Sequence, residues 1–248
     1  MEIRGLVFSA CLASAGFVGA RADEVGRKTV WDLKLGEPLA AQPSAGEYRG
    51  YACGSNGGQP RRPLGSFADF ARCPAEAGGL REVYFEYDDE IEYVARARDD
   101  EQALARYAGT AERGFPLIVS ALIDDDGVLR GARLATDSRP DYRKDATDAD
   151  LARRADAYKF GAAMAARFDI EPNRDCVKPP RGEGENPVGA LFIKLDCEKA
   201  APTERRAYKL SVRLLRKPGQ SGRDPRNPTA LTKGEFESSA LLEILATP

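Results

Sequence analysis

The sequence predicts an α+β fold in which antiparallel sheets built from β-hairpins carry helices packed on one face. Three observations predict it. Alternating apolar and polar segments come in pairs around short acidic turns, at 80–87 and 91–97 around Asp88-Asp89-Glu90, and at 115–123 and 128–135 around Asp124-Asp125-Asp126-Gly127. Helix-forming stretches at 99–108 and 151–168 interrupt these pairs. The strand–helix–strand alternation of a doubly wound fold is missing, as is a glycine fingerprint between a strand and a helix.

In chain order the first element is an address. Met1-Glu2-Ile3-Arg4 is a short basic start, Leu6 to Gly19 is uncharged, and Ala20-Arg21-Ala22 is a small-residue cleavage pattern ahead of the polar Asp23. The uncharged run of about 14 residues is shorter than the roughly 20 of a spanning helix. Residues 1–22 therefore read as a signal peptide cut between Ala22 and Asp23. The mature chain is expected in the periplasm or secreted, with no membrane span. Cleavage removes Arg4, Arg21 and Glu2, leaving 35 basic against 38 acidic residues, a net charge of −3. That balance lacks the basic excess of a general nucleic-acid binder.

Thr29–Leu35 reads as a first strand, and 43–65, rich in Gly, Pro and Ser, as an ordered loop. A helical turn over 66–71 leads to the first hairpin, then the helix 99–108, closed by Gly109. In the second hairpin Gly127 suits the left-handed position of the turn. Asp148 or Asp150 is positioned to cap the alanine-rich helix 151–168. Strands follow near 188–197, 207–217 and 236–245. In the second of these Tyr208, Leu210, Val212 and Leu214 alternate with Lys209, Ser211 and Arg213. Residues 218–235, broken by Pro and Gly, read as a long loop. The organisation is a hairpin-rich half, 23–142, and a C-terminal half, 143–248, of helix plus antiparallel strands, either separate or one continuous domain.

Four cysteines survive cleavage, an even set suited to an oxidising compartment. Of the three possible pairings, Cys53–Cys73 and Cys176–Cys197 close short local loops and are favoured. A zinc site lacks both C-x-x-C spacing and histidine. The chain has no histidine at all, which removes Ser-His-Asp and Cys-His catalysis. Asp124–Gly127 does not fit a calcium loop, because alignment on Gly127 places Leu122 and Arg133 at ligand positions. The acids Glu86, Asp88 and Glu92 read as a solvated hairpin face. Cys53-Gly54-Ser55-Asn56-Gly57-Gly58 has the composition to wrap an anion with backbone amides, but a disulfide-anchored turn is the preferred reading. Trp31 reads as a buried anchor. No catalytic, cofactor-binding or metal-ligating residue is assigned.

The stretches ACGSNGGQP, LREVYFEYDDEIEYVARA and FESSALLEI resemble an uncharacterised group of exported alphaproteobacterial proteins. No activity attaches to that group, so the resemblance implies nothing about chemistry. The element order is also similar to small envelope modules that bind proteins through a helix-plus-sheet layer, an analogy of fold alone.

Charge is unevenly spread. Residues 82–101 hold nine acidic side chains, and 205–233 hold nine basic ones. They read as two solvated faces that pair loosely with each other. The function these observations support is an exported, non-enzymatic envelope module that binds a protein, a cell-wall component or a small solute. A carboxylate-dependent envelope hydrolase is the alternative, and two acids opposed across a deep cleft would favour it. If there is a partner, the basic excess points to an acidic envelope protein or ligand. Contact is then expected at Arg216, Lys217, Arg223 and Arg226.

Overall fold

The computed structural model describes residues 28–44, 46–58, 60–87, 111–112, 115–137, 155–220, 223–224, 227–231 and 236–247. The expected signal peptide, the expected hairpin tip 88–90 and second strand 91–97, the expected helix 99–108 and the candidate caps Asp148 and Asp150 lie outside these residues.

The described strands are β1 (Arg49–Cys53), β2 (Arg61–Pro63), β3 (Arg81–Glu86), β4 (Ala111–Glu112), β5 (Phe115–Ile123), β6 (Leu129–Thr136), β7 (Cys176–Val177), β8 (Ile193–Ala201), β9 (Arg206–Leu215), β10 (Arg223–Asp224), β11 (Asn227–Leu231) and β12 (Glu237–Ala246). Ten of them form one antiparallel sheet, ordered β2-β1-β3-β5-β6-β12-β9-β8-β7, with β4 added against the start of β5. The described α-helices are α1 (Tyr158–Arg167) and the single turn α2 (Pro172–Asp175). The antiparallel sheet matches the sequence reading, but the balance shifts: the described architecture is mainly β, with few helices.

Thr29–Leu35 is not a strand. Thr29 and Asp32 form a reciprocal capping box that winds Val30–Asp32 into a 3-10 turn, with Asp32 Oδ2 accepting from the Thr29 amide at 2.8 Å. Trp31 is half-buried, and its ring lies under the Arg167 guanidinium at 3.8 Å. The 43–65 segment is not all loop either. Its Tyr51, Ala52 and Cys53 are buried in β1, which pairs with β2 and β3. Ser66 caps the expected helical turn, a 3-10 helix over Phe67–Arg72.

The second hairpin forms as read. β5 and β6 pair from Leu117↔Thr136 to Ile123↔Leu129, and Gly127 takes φ +74° in the turn. Asp124 organises that turn. Its Oδ1 accepts the amides of Asp126 and Val128 at 3.0 and 2.9 Å, and its Oδ2 accepts from Arg130 Nε at 2.6 Å. Burial would raise the Asp124 carboxyl, but the Val128 amide and Arg130 outweigh it and hold it below the usual range. Asp125 reaches across to Arg81 at 3.0 Å. Asp124→Ala is therefore expected to cost about 1 kcal/mol in urea unfolding, through its lost backbone bonds. Asp125→Asn is expected to change stability by about 0.5 kcal/mol or less. Equal effects would show that the turn does not depend on Asp124.

One face of the sheet is the main core. Tyr208, Leu210, Val212 and Leu214 of β9 are all buried, as their alternation requires. α1 lies on this face with Phe160 and Met164 fully buried. Gly161 allows the approach, since a Cβ there would stand 2.4 Å from Val212 Cγ2 and 3.3 Å from Ala240 Cβ. Gly161→Val is expected to cost about 1–3 kcal/mol by overpacking, read as a lowered melting midpoint. A distant hydroxyl sets the start of α1. Ser238 Oγ accepts the Tyr158 amide at 3.1 Å and donates to the Ala155 carbonyl at 2.8 Å.

Both expected disulfides are present. Cys53–Cys73 ties β1 to the end of the 67–72 turn, and Cys176–Cys197 joins a register pair of β7 and β8. The 218–235 segment is more structured than a plain loop, because β10 and β11 pair as a two-stranded ribbon. Among the described residues no helix is long and apolar enough to cross a membrane.

Candidate functional site

Charge concentrates on the opposite face of the sheet. Along β6, Ala132 and Leu134 face the main core, so Arg133 faces the other way, yet it is only 4% exposed. The register places it between Ser120 of β5 and Glu243 of β12. Three carboxylates converge on its guanidinium. Glu76, from the segment after Cys73, accepts from Nη1 and Nη2 at 2.7 and 3.0 Å. Glu82 of β3 lies 2.9 Å from Nη1, and Glu243 takes Nε and Nη2 at 2.8 and 2.6 Å. Every nitrogen of the group thus meets a carboxylate. The fork of an arginine suits this, where a lysine would offer one point charge.

The protonation states follow from the contacts. Burial alone would lower the Arg133 pKa, but the bonds to Glu76 and the charges of Glu82 and Glu243 outweigh it and raise it. In return, the Arg133 hydrogen bond holds the Glu76 carboxyl below its ordinary range, against partial burial.

The glycine-rich segment after β1 does wrap an anion, and that anion is Glu82. The Asn56 amide donates to Glu82 Oε2 at 2.5 Å, with the Gly57 amide 3.5 Å from Oε1. Gly54 makes room, because a Cβ there would come within 2.3 Å of Glu82 Cδ and Cγ. Glu82, read in sequence as part of a solvated acidic face, is therefore buried between backbone amides and Arg133. It does not pair with the 205–233 stretch.

The same face continues as a half-buried polar surface over β8 and β9. Arg213 Nη2 meets Asp196 Oδ1 at 2.6 Å, Ser211 donates to the same oxygen at 2.7 Å, and Lys194 binds Glu185 at 3.0 Å. Partial burial would raise the Asp196 carboxyl, but Ser211 and Arg213 prevail and lower it.

The sequence-predicted residues are dispersed. Glu86 is taken up by Tyr84 at 2.5 Å and Arg49 at 3.5 Å, while Asp88 and Glu92 lie outside the described residues. Arg216 exchanges backbone hydrogen bonds with Asn186, and its guanidinium sits 5.9 Å from the Phe236 ring centroid. Lys217 Nζ lies 2.9 Å from Glu237. Arg223 falls in β10, where the backbone alone is described, and Arg226, Ala20, Ala22 and Asp23 lie outside the described residues. Among the described residues no group of three or more metal-ligating side chains is placed to hold an ion.

The sequence reading missed Arg133. One signal pointed to it: Leu117 to Ile123 is apolar but for Ser120, and such a strand is covered on both faces, so a charge on its hairpin partner is covered too. No protein-family model, curated protein or solved structure matches the chain.

Proposed function

We propose that this chain is an exported, non-enzymatic binding module of the bacterial envelope, and that its partner is an acidic protein. The observation that carries this is the commitment of the central acids. Glu76, Glu82 and Glu243 are all bound to one arginine, and the Glu76 carboxyl is pulled down. A general acid in sugar hydrolysis needs its pKa raised. Two disulfides support export, since such bonds persist in oxidising compartments. The basic excess over 205–233 supports an acidic partner.

The test uses the exported protein, purified with its disulfides intact, as bait in envelope extract. Mass spectrometry of the bait is expected to show Asp23 as its first residue. The captured protein, purified and titrated back, is expected to bind saturably and more weakly as salt rises. Release of sugar from cell-wall material by the bait, abolished by Glu76→Gln, would instead make it a hydrolase.

A further inference from the structure

We propose that the corner where β2 meets the end of the 67–72 turn is a docking surface for an acidic segment of a partner protein, gripped by Arg61, Arg62 and Arg72. This rests on the binding-module reading only in requiring that a protein partner exists.

The corner holds a surplus of guanidinium groups. All three arginines are exposed. Arg62 donates to the Arg72 carbonyl at 2.6 Å, and the side chains of Arg61 and Arg72 have no partner among the described residues. Four arginines elsewhere on the sheet are committed to carboxylates: Arg81 to Asp125, Arg130 to Asp124, Arg133 to its three glutamates and Arg213 to Asp196. The acids near the corner are committed too. Asp69 accepts the Gly65 amide at 2.7 Å, Asp125 holds Arg81, and Glu76 and Glu82 hold Arg133. Among the described residues no carboxylate forms an ion pair with Arg61, Arg62 or Arg72.

The corner is also held together. Arg61 is the register partner of Cys53, Cys53 is bonded to Cys73 with a Cα–Cα distance of 5.3 Å, and Arg72 precedes Cys73. The Arg62 bond to the Arg72 carbonyl closes the same loop of contacts. Arg62 takes φ +53°, an uncommon conformation for a non-glycine residue, so the strand kinks where it presents this side chain. A backbone fixed before binding loses little further freedom when a ligand arrives, so only the arginine side chains remain to be ordered.

Charge and backbone select the occupant. Guanidinium forks match carboxylate or phosphate. The chain as a whole carries −2, which repels an extended polyanion or an anionic bilayer, whereas a local surplus attracts a local acidic segment. Pro63 within β2 and Pro60 just before it each remove an amide donor from this short edge, which favours recognition through side chains over an added strand.

The experiment is calorimetric titration of the exported protein with a short polyglutamate peptide at low ionic strength. Arg61→Ser with Arg72→Ser is expected to weaken binding about tenfold or more, with an unchanged melting midpoint. Lys34→Ser with Lys178→Ser, the same charge change at exposed positions elsewhere, is expected to leave it unaltered. Undetectable peptide binding, or equal binding by the Arg61/Arg72 variant, overturns the proposal. So does preferential binding of inorganic polyphosphate or phosphatidylglycerol vesicles, which would assign the corner to phosphate groups. The titration needs no cellular partner, so the two failures are told apart. Capture of an envelope protein equally well by the Arg61/Arg72 variant sinks the corner and keeps the module. Peptide binding at the corner with no envelope partner captured sinks both, because the corner is proposed as a docking site for a protein.

Discussion

Replacing Arg133 with methionine is expected to destabilise the protein by about 3–5 kcal/mol, because three carboxylates would face one another without their cation. Glu82 is 3% exposed and cannot turn to water. Adding Glu82→Gln and Glu243→Gln to Arg133→Met is expected to recover part of the loss, since the two more deeply buried carboxylates are then neutral amides and only the partly exposed Glu76 stays charged. Urea unfolding of the single and combined variants measures both effects. A loss below about 1 kcal/mol for Arg133→Met would mean that the cluster is solvated and contributes little. The same cluster sets the acid response. Glu76 has its folded pKa lowered from about 4.5, so its contribution is fully present above that value and is lost as pH falls through the folded pKa. Stability is expected to fall below about pH 4.5, and less steeply in Glu76→Gln. Identical acid profiles for the two proteins would remove Glu76 from the account.

The second large effect is expected at Cys53–Cys73. The bond closes a loop of 20 residues, worth about 3 kcal/mol of chain entropy. Cys53 and Cys73 are 4% and 2% exposed, so Cys53→Ala with Cys73→Ala also loses packing in the core. The double substitution is expected to cost more than Cys176→Ala with Cys197→Ala. That second bond spans a similar separation of 21 residues but joins a strand of two residues at the sheet edge, where Cys176 is only partly buried. Thermal melts of both variants, with and without reductant, test the ranking. A larger loss at Cys176–Cys197 would reverse it and place the limiting contacts at β7.

What the sequence disclosed was local. The β5–β6 hairpin was readable because alternation, an aspartate-rich turn and a glycine lie within about twenty residues of one another. The burial of alternate residues in β9 was readable for the same reason. β1 was hidden because Gly and Pro surround its short apolar run, and its partners β2 and β3 decide its state. Thr29–Leu35 was misread because a capping box spaced i to i+3 overrides β-branched propensity over so few residues. The candidate site was largely illegible. Glu76, Glu82, Arg133 and Glu243 span most of the chain, and only strand order brings them together. The anion cradle was visible in composition, but its occupant was not, since nothing local pairs Asn56 with a residue 26 positions away.

The position of β12 bears on the order in which the molecule can be assembled. It lies between β6 and β9, hydrogen-bonded to both, although every other strand of the sheet precedes it in the chain. A polypeptide emerging from its N-terminus can form two separate ladders, β2-β1-β3-β5-β6 and β9-β8-β7, with the edges of β6 and β9 that later pair with β12 still open. Residues 237–246 then act as a closing wedge that joins the two ladders and brings Glu243 to Arg133. Until that segment arrives, β6 and β9 each end their ladder in an unpaired edge, so the continuous sheet exists only once the last of its strands has been made.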